Sequence, residues 1–228
     1  MDTNNLNLNH IQKRNKLFAL DINSTIKKTY ALLSFCILSS IVFAYFGLII
    51  NFRINILVFF LISYGTIYIM NRNKDNYIGL FSLFFLTSFL GFYLGPILNT
   101  IMFQHINGST IIGASLALTS ITFLSLSFYA MATKKNFNFL SGLLSVMSLL
   151  LIFLIILNIF LQIPILHLIL SGLIALFSAA MILHTTSNMI YNRGERNCIL
   201  ITASLFLDIY NLFLSFLYIM GIVSGKDE

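Results

Sequence analysis

The sequence predicts an all-α polytopic membrane protein, a bundle of seven transmembrane helices, and three observations carry that expectation. Of its 228 residues, 58% are hydrophobic and only 9% charged, with a mean hydropathy of +0.93. Soluble domains run about 45–50% apolar and about 25% charged, so this chain lacks the polar residues to cover itself in water. Apolar runs close to 20 residues long recur along it, each sufficient to cross a bilayer. No period-two alternation marks barrel strands, and a backbone in hydrocarbon must satisfy its own hydrogen bonds, which leaves helices. Disorder is excluded by the same composition, and a disulfide scaffold by a count of two cysteines. The net charge of +6 sits in short connections instead of on one basic face, so it does not point to nucleic acid.

Residues 1–29 are polar and Asn-rich, then carry Lys13, Arg14, Lys16, Lys27 and Lys28. They read as a mostly disordered cytoplasmic tail with a short interfacial helix near Leu17 to Ile26. The first apolar run, 21 residues from Tyr30 to Ile50, is longer than a signal-peptide core. Seven spans follow over 30–50, 54–70, 77–104, 109–132, 137–161, 165–191 and 199–224, and together they make one transmembrane domain, 30–224. Residues 225–228 remain as a short external C-terminus.

Orientation comes from the basic residues. With the N-terminus in the cytoplasm, eleven of the 13 Lys and Arg fall inside, and only Arg53 and Lys226 fall outside. The positive-inside rule selects that split, and dropping one span would break the alternation. Tyr30, Tyr68, Tyr77, Tyr129 and Tyr191 stand at the cytoplasmic ends, where a ring and its hydroxyl straddle the interface. The expected location is therefore a bacterial inner (plasma) membrane, with the lipid bilayer as the first partner.

Six of the seven acidic residues lie in loops or tails. Asp208 alone sits mid-span, between Phe206-Leu207 and Ile209-Tyr210. A carboxylate near the bilayer centre costs roughly 2.5–3.5 kcal/mol on insertion scales, so it should face the bundle. It reads either as a proton- or ion-sensing site or as a structural acid that pins the last helix. His184, in span six, lies at a depth of about 10 Å against about 14 Å for Asp208. It is the natural partner, unless it reaches instead toward headgroups or a neighbouring carbonyl.

In span three, Gly91 and Gly95 form a small-xxx-small pattern for close helix approach, and Pro96 kinks the helix. Asn99 and Thr100 either satisfy the carbonyls so freed or line a pore. Pro164 reads as the first-turn proline of span six, and His167 as an interfacial residue. Cys36 and Cys198 are expected to stay unpaired, no metal-ligand cluster is visible, and no phosphate-binding, dinucleotide or hydrolase motif is present. No cofactor and no catalytic residue are expected.

The string Ala203-Ser204-Leu205-Phe206-Leu207-Asp208-Ile209-Tyr210-Asn211-Leu212-Phe213 resembles the last-helix signature of the Bax inhibitor family of seven-span proteins. Similarity to its bacterial YccA-like branch extends to Phe89–Thr100 with its Gly-Pro-Ile-Leu-Asn-Thr core, to Asn158–Pro164 with Leu166-His167-Leu168, and to Thr186-Ser187-Asn188 followed by Gly194-Glu195 and Asn197. The resemblance implies a bundle with one central helix ringed by the others, and one of two activities. YccA-like proteins are modulators and substrates of the membrane-anchored AAA+ protease FtsH and its associated regulators, engaged through the cytoplasmic tail. The wider family includes pH-sensitive calcium-leak proteins with a carboxylate pair on helices six and seven. Before Thr186-Ser187-Asn188 that pattern has a carboxylate where this chain has Thr185, preceded by His184. Either His184 replaces the missing acid beside Asp208, or the leak is lost or attenuated, and the second is favoured. A non-enzymatic protease modulator is the leading expectation. A calcium or cation leak gated by Asp208 is the alternative. A small-solute transporter ranks last, because seven spans do not split into two equal repeats.

Overall fold

The structure is a computed structural model that describes residues 3–133, 135–161, 163–191 and 197–225, with side chains from residue 23 onward. Seven helices follow one another: α1 (Thr3–Ile50), α2 (Ile56–Arg72), α3 (Tyr77–Gln104), α4 (Gly108–Thr133), α5 (Leu140–Leu161), α6 (Pro164–Tyr191) and α7 (Cys198–Val223). Six of them contain stretches long and apolar enough to cross a membrane, α1 through its Asn23–Ile50 part. The 17-residue α2 is apolar but shorter, at the lower limit for a span.

Each boundary has a local cause. Neither Gly nor Pro occurs before Gly47, so nothing in the polar leader breaks a helix, and α1 is continuous from Thr3. The short helix expected near Leu17 to Ile26 is therefore part of one longer helix. α1 stops where Asn51 takes the left-handed conformation (φ 49°) and its N–H returns to the Gly47 carbonyl. Asn55 caps α2 through its side chain. Asn197 caps α7 by accepting from the Ile199 and Leu200 amides at 3.0 and 3.3 Å. Pro164 opens α6 in its first turn.

The burial pattern is that of a protein in lipid. Leu57 and Leu61 are 75% exposed and Phe160 is 81% exposed, while Thr29, Thr87, Ser115, Thr186 and Thr202 are fully buried. Apolar side chains face outward because hydrocarbon is their solvent, and the small hydroxyl residues line helix contacts, bonded mostly to their own helix, as in Ser115→Ile111 and Thr119→Ser115.

α7 is the central helix. It packs against α1, α3, α4 and α6, and its buried residues point in every direction around the axis. The largest apolar cluster joins α1, α3 and α7 through Leu33, Cys36, Leu83, Leu90, Leu205 and Phe206. α2 lies against α3, and α5 against α6.

The tightest crossing joins α1 and α3. A Cβ added at Gly91 would overlap the Ser40 carbonyl, and one at Gly95 would overlap the Gly47 backbone. Pro96 has no N–H for the carbonyl one turn back, that of Phe92. That carbonyl abuts Gly47, where a Cβ would collide with it. Gly47 is thus what lets α1 lie against the carbonyl that Pro96 leaves without its helical donor. Gly95→Leu should lower the apparent Tm of the detergent-solubilised protein, since overpacking of this kind costs about 1–3 kcal/mol of stability. Gly65→Leu, whose Cβ meets nothing within 4 Å, should not lower it.

Candidate functional site

Asp208 sits at the middle of α7 and is 6% exposed. Its Oδ2 is buried and has no hydrogen-bond partner among the described residues. The helix turn that carries it is held from both sides. The Tyr210 hydroxyl donates to the Leu90 carbonyl of α3 at 3.3 Å, and Leu212 packs with Ala175 and Ile182 of α6. One turn further along α7, Asn211 lines a cavity of about 280 Å³ between α3, α6 and α7, together with Ser171, Ser215 and Tyr218. Asp208 itself does not line that cavity, and a buried carboxylate that meets no cation among the described residues favours its protonated form or a bound cation.

His184 does not supply the missing partner. Its Nδ1 lies 3.2 Å from the Phe137 carbonyl and its Nε2 lies 2.9 Å from Asn188 Nδ2. The set fits a neutral ring that donates from Nδ1 and accepts at Nε2. Similar depth in the bilayer does not fix the direction in which a side chain points around its helix. Two residues along a helix turn a side chain by about 200°, so His184 points away from the fully buried row of Ile182, Thr186 and Met189. Thr185 is half-buried and forms no side-chain hydrogen bond among the described residues, and neither does the half-buried Asn99. Thr100 donates to the Pro96 carbonyl at 2.9 Å and receives Arg53 at 3.2 Å.

His184 instead belongs to a clamp. Ser187 Oγ accepts from the Phe137 amide and donates to the Lys135 carbonyl, both at 3.1 Å. With His184 on the Phe137 carbonyl, one face of α6 holds the backbone that joins α4 to α5. That grip also explains why α5 begins at Leu140 instead of 137: Phe137 is drawn onto α6, where it packs beside Leu140 and Leu144. A second clamp lies at the same end of the bundle. Asn197 Nδ2 donates to the Lys74 carbonyl and to Asp75 Oδ1, both at 2.8 Å, and ties the α2–α3 connection to the start of α7.

At the opposite end, His167 is not simply interfacial. It receives Asn158 Nδ2 at 2.9 Å across the α5–α6 connection, and its ring lies 5.9 Å from that of Tyr218 on α7. His105 has no predicted role in the sequence. It is 6% exposed, and its Nδ1 donates to the Gly225 carbonyl at 2.7 Å. Its only sequence signal was an isolated imidazole at the mouth of a short connection. Cys36 and Cys198 are both free thiols. Among the described residues no three His, Cys, Asp or Glu side chains gather as a metal site would require.

An apolar exterior, buried hydroxyl contacts and an acid carried by the central helix define a multi-pass integral membrane protein. The chain belongs to the Bax inhibitor family: the family described as "Inhibitor of apoptosis-promoting Bax1" matches residues 22–225. Its relatives include an uncharacterized protein of Pseudomonas aeruginosa, 37% identical over 91% of this chain and 93% of the relative. The "Modulator of FtsH protease YccA" of Escherichia coli K12 is 34% identical over 90% and 93%. An "uncharacterized membrane protein" of Vibrio cholerae is 35% identical over 91% and 93%.

Ser187→Ala removes the acceptor of the buried Phe137 amide, an unmet donor that costs about 1–3 kcal/mol. Hydrogen exchange across residues 135–140 should speed up by one to two orders of magnitude in this variant, while exchange within α7 stays unchanged.

Proposed function

We propose that this chain is a non-enzymatic modulator of a membrane-anchored AAA+ protease in the bacterial inner membrane, with a cytoplasmic N-terminus that the protease engages. The observation that carries this reading is near full-length similarity to a protein named as a modulator of FtsH protease. The shape of α1 supports it. Twenty residues of α1 precede its membrane-spanning part, so the leader projects about 30 Å as a helix and about twice that when unwound. A protease that pulls on the leader would have to dislodge α1 from α3 and α7, and slow extraction would occupy the enzyme. Deleting residues 5–12 should lengthen the half-life of the protein in cells that contain the protease and abolish its co-purification with it. The same half-life for both chains, with and without the protease, would refute the proposal.

A second reading rests on Asp208, an acid buried in the central helix one turn before Asn211, which lines a cavity with Ser215 and Ser171. In that reading the bundle leaks calcium or other cations, and the carboxylate acts as a titrating gate. Reconstituted protein should then pass calcium into liposomes with a pH dependence between 5 and 8, and Asp208→Asn should flatten it. The involvement of His184 in the Phe137 clamp argues against an Asp–His pair as the gate.

A further inference from the structure

A groove runs between α1 and α4, with α3 and α7 as its floor at mid-depth. It consists of two cavities that meet at Leu124: one of about 630 Å³ beside Tyr30 and Ser127, near the leader, and one of about 510 Å³ at mid-depth beside Ile41 and Phe206. Both lie within the size range of built ligand pockets. The mid-depth part is apolar. The part near the leader contains two hydroxyls in an unusual state.

Ser127 is 2% exposed, and its Oγ has no hydrogen-bond partner among the described residues. On the same helix Ser115, Thr119 and Ser120 all donate to the carbonyl four residues back, so an unbonded Ser127 departs from the local habit. The Tyr30 hydroxyl is likewise buried and unpartnered. Tyr30 was expected to face the interface; instead its ring turns in against Phe123, with centroids 6.3 Å apart. Lys27 is exposed and lies 18 residues before Tyr45, a wall residue of the groove. Eighteen residues are five full turns, so both stand on one row of α1.

Along the groove the order is therefore a cation, then hydroxyls about 5 Å deeper, then an apolar trough that begins about 10 Å beyond them. An anionic phospholipid has the complementary order: phosphate, ester carbonyls, acyl chain. A transmembrane helix of another protein fits less well, because its carbonyls are already bonded within the helix, whereas ester carbonyls are free to accept. We propose that the α1–α4 groove binds one anionic phospholipid, with its phosphate on Lys27, its ester carbonyls accepting from Tyr30 and Ser127, and one chain in the trough past Leu124.

Native mass spectrometry of the full chain, delipidated in detergent and titrated with phosphatidylglycerol or phosphatidylcholine, tests this. One phosphatidylglycerol should be retained in preference to phosphatidylcholine. Lys27→Gln should weaken its binding about fivefold. Leu124→Trp, a change at an exposed position that fills the junction of the cavities, should abolish retention while circular dichroism stays unchanged. Equal retention of both lipids, or retention indifferent to Leu124→Trp, would overturn the assignment. So would a photo-crosslinker at Ser120 that captures another polypeptide in native membranes in place of lipid.

Discussion

A helix that carries an ionisable acid through hydrocarbon must be enclosed by protein, because lipid offers a carboxylate neither water nor a donor. Asp208 places that requirement on α7, and much of the bundle answers it. α1, α3, α4 and α6 pack around α7, whereas α2 and α5 lie outside them against α3 and α6. The crossing of α1 and α3 at Gly47, Gly91 and Gly95 belongs to the same logic. Four helices surround a fifth closely only if some neighbours give up side-chain volume where they cross.

The spans were legible because their signal is a count of apolar residues against a fixed thickness, and the ends from α2 to α7 lie within about three residues of expectation. Pro164 was equally legible, since it has a fixed preference for a helix start. What the sequence concealed is angular. Counting residues from the span ends gives His184 and Asp208 similar expected depths, yet their directions depend on how α6 rotates about its axis, and that rotation is set by contacts with residues some 50 positions away. The start of α5 was misplaced for the same reason, because Phe137 is apolar enough to belong to a span but is bound to α6 as a connection. Tyr30 shows a third limit. Its position marks an interface, while Phe123 decides which way the ring turns. The Asn158–His167 pair and the His105–Gly225 contact likewise join residues that no short pattern connects.

Two connections at the leader end of the bundle, α2–α3 and α4–α5, are bound to helix ends. Asn197 both caps α7 and grips the backbone between α2 and α3, and Ser187 with His184 grips the backbone between α4 and α5. The polar residues 184, 187, 188 and 197, at the adjoining ends of α6 and α7, thus hold two connections to two helix ends. The start of α7, at that end of the bundle, touches α1 at Thr25. Any protein that handles the leader would meet that end at the same time.

The course of α1 has a mechanical consequence. It lies against α7 around Thr25 and Thr29, whose carbonyls face Cys198 and Thr202, and against α3 around Ser40 to Leu48. A force applied along the leader would therefore load two seams in shear, over many residues at once, instead of peeling one contact at a time. Parallel seams of this kind resist a lengthwise pull more than a sideways one.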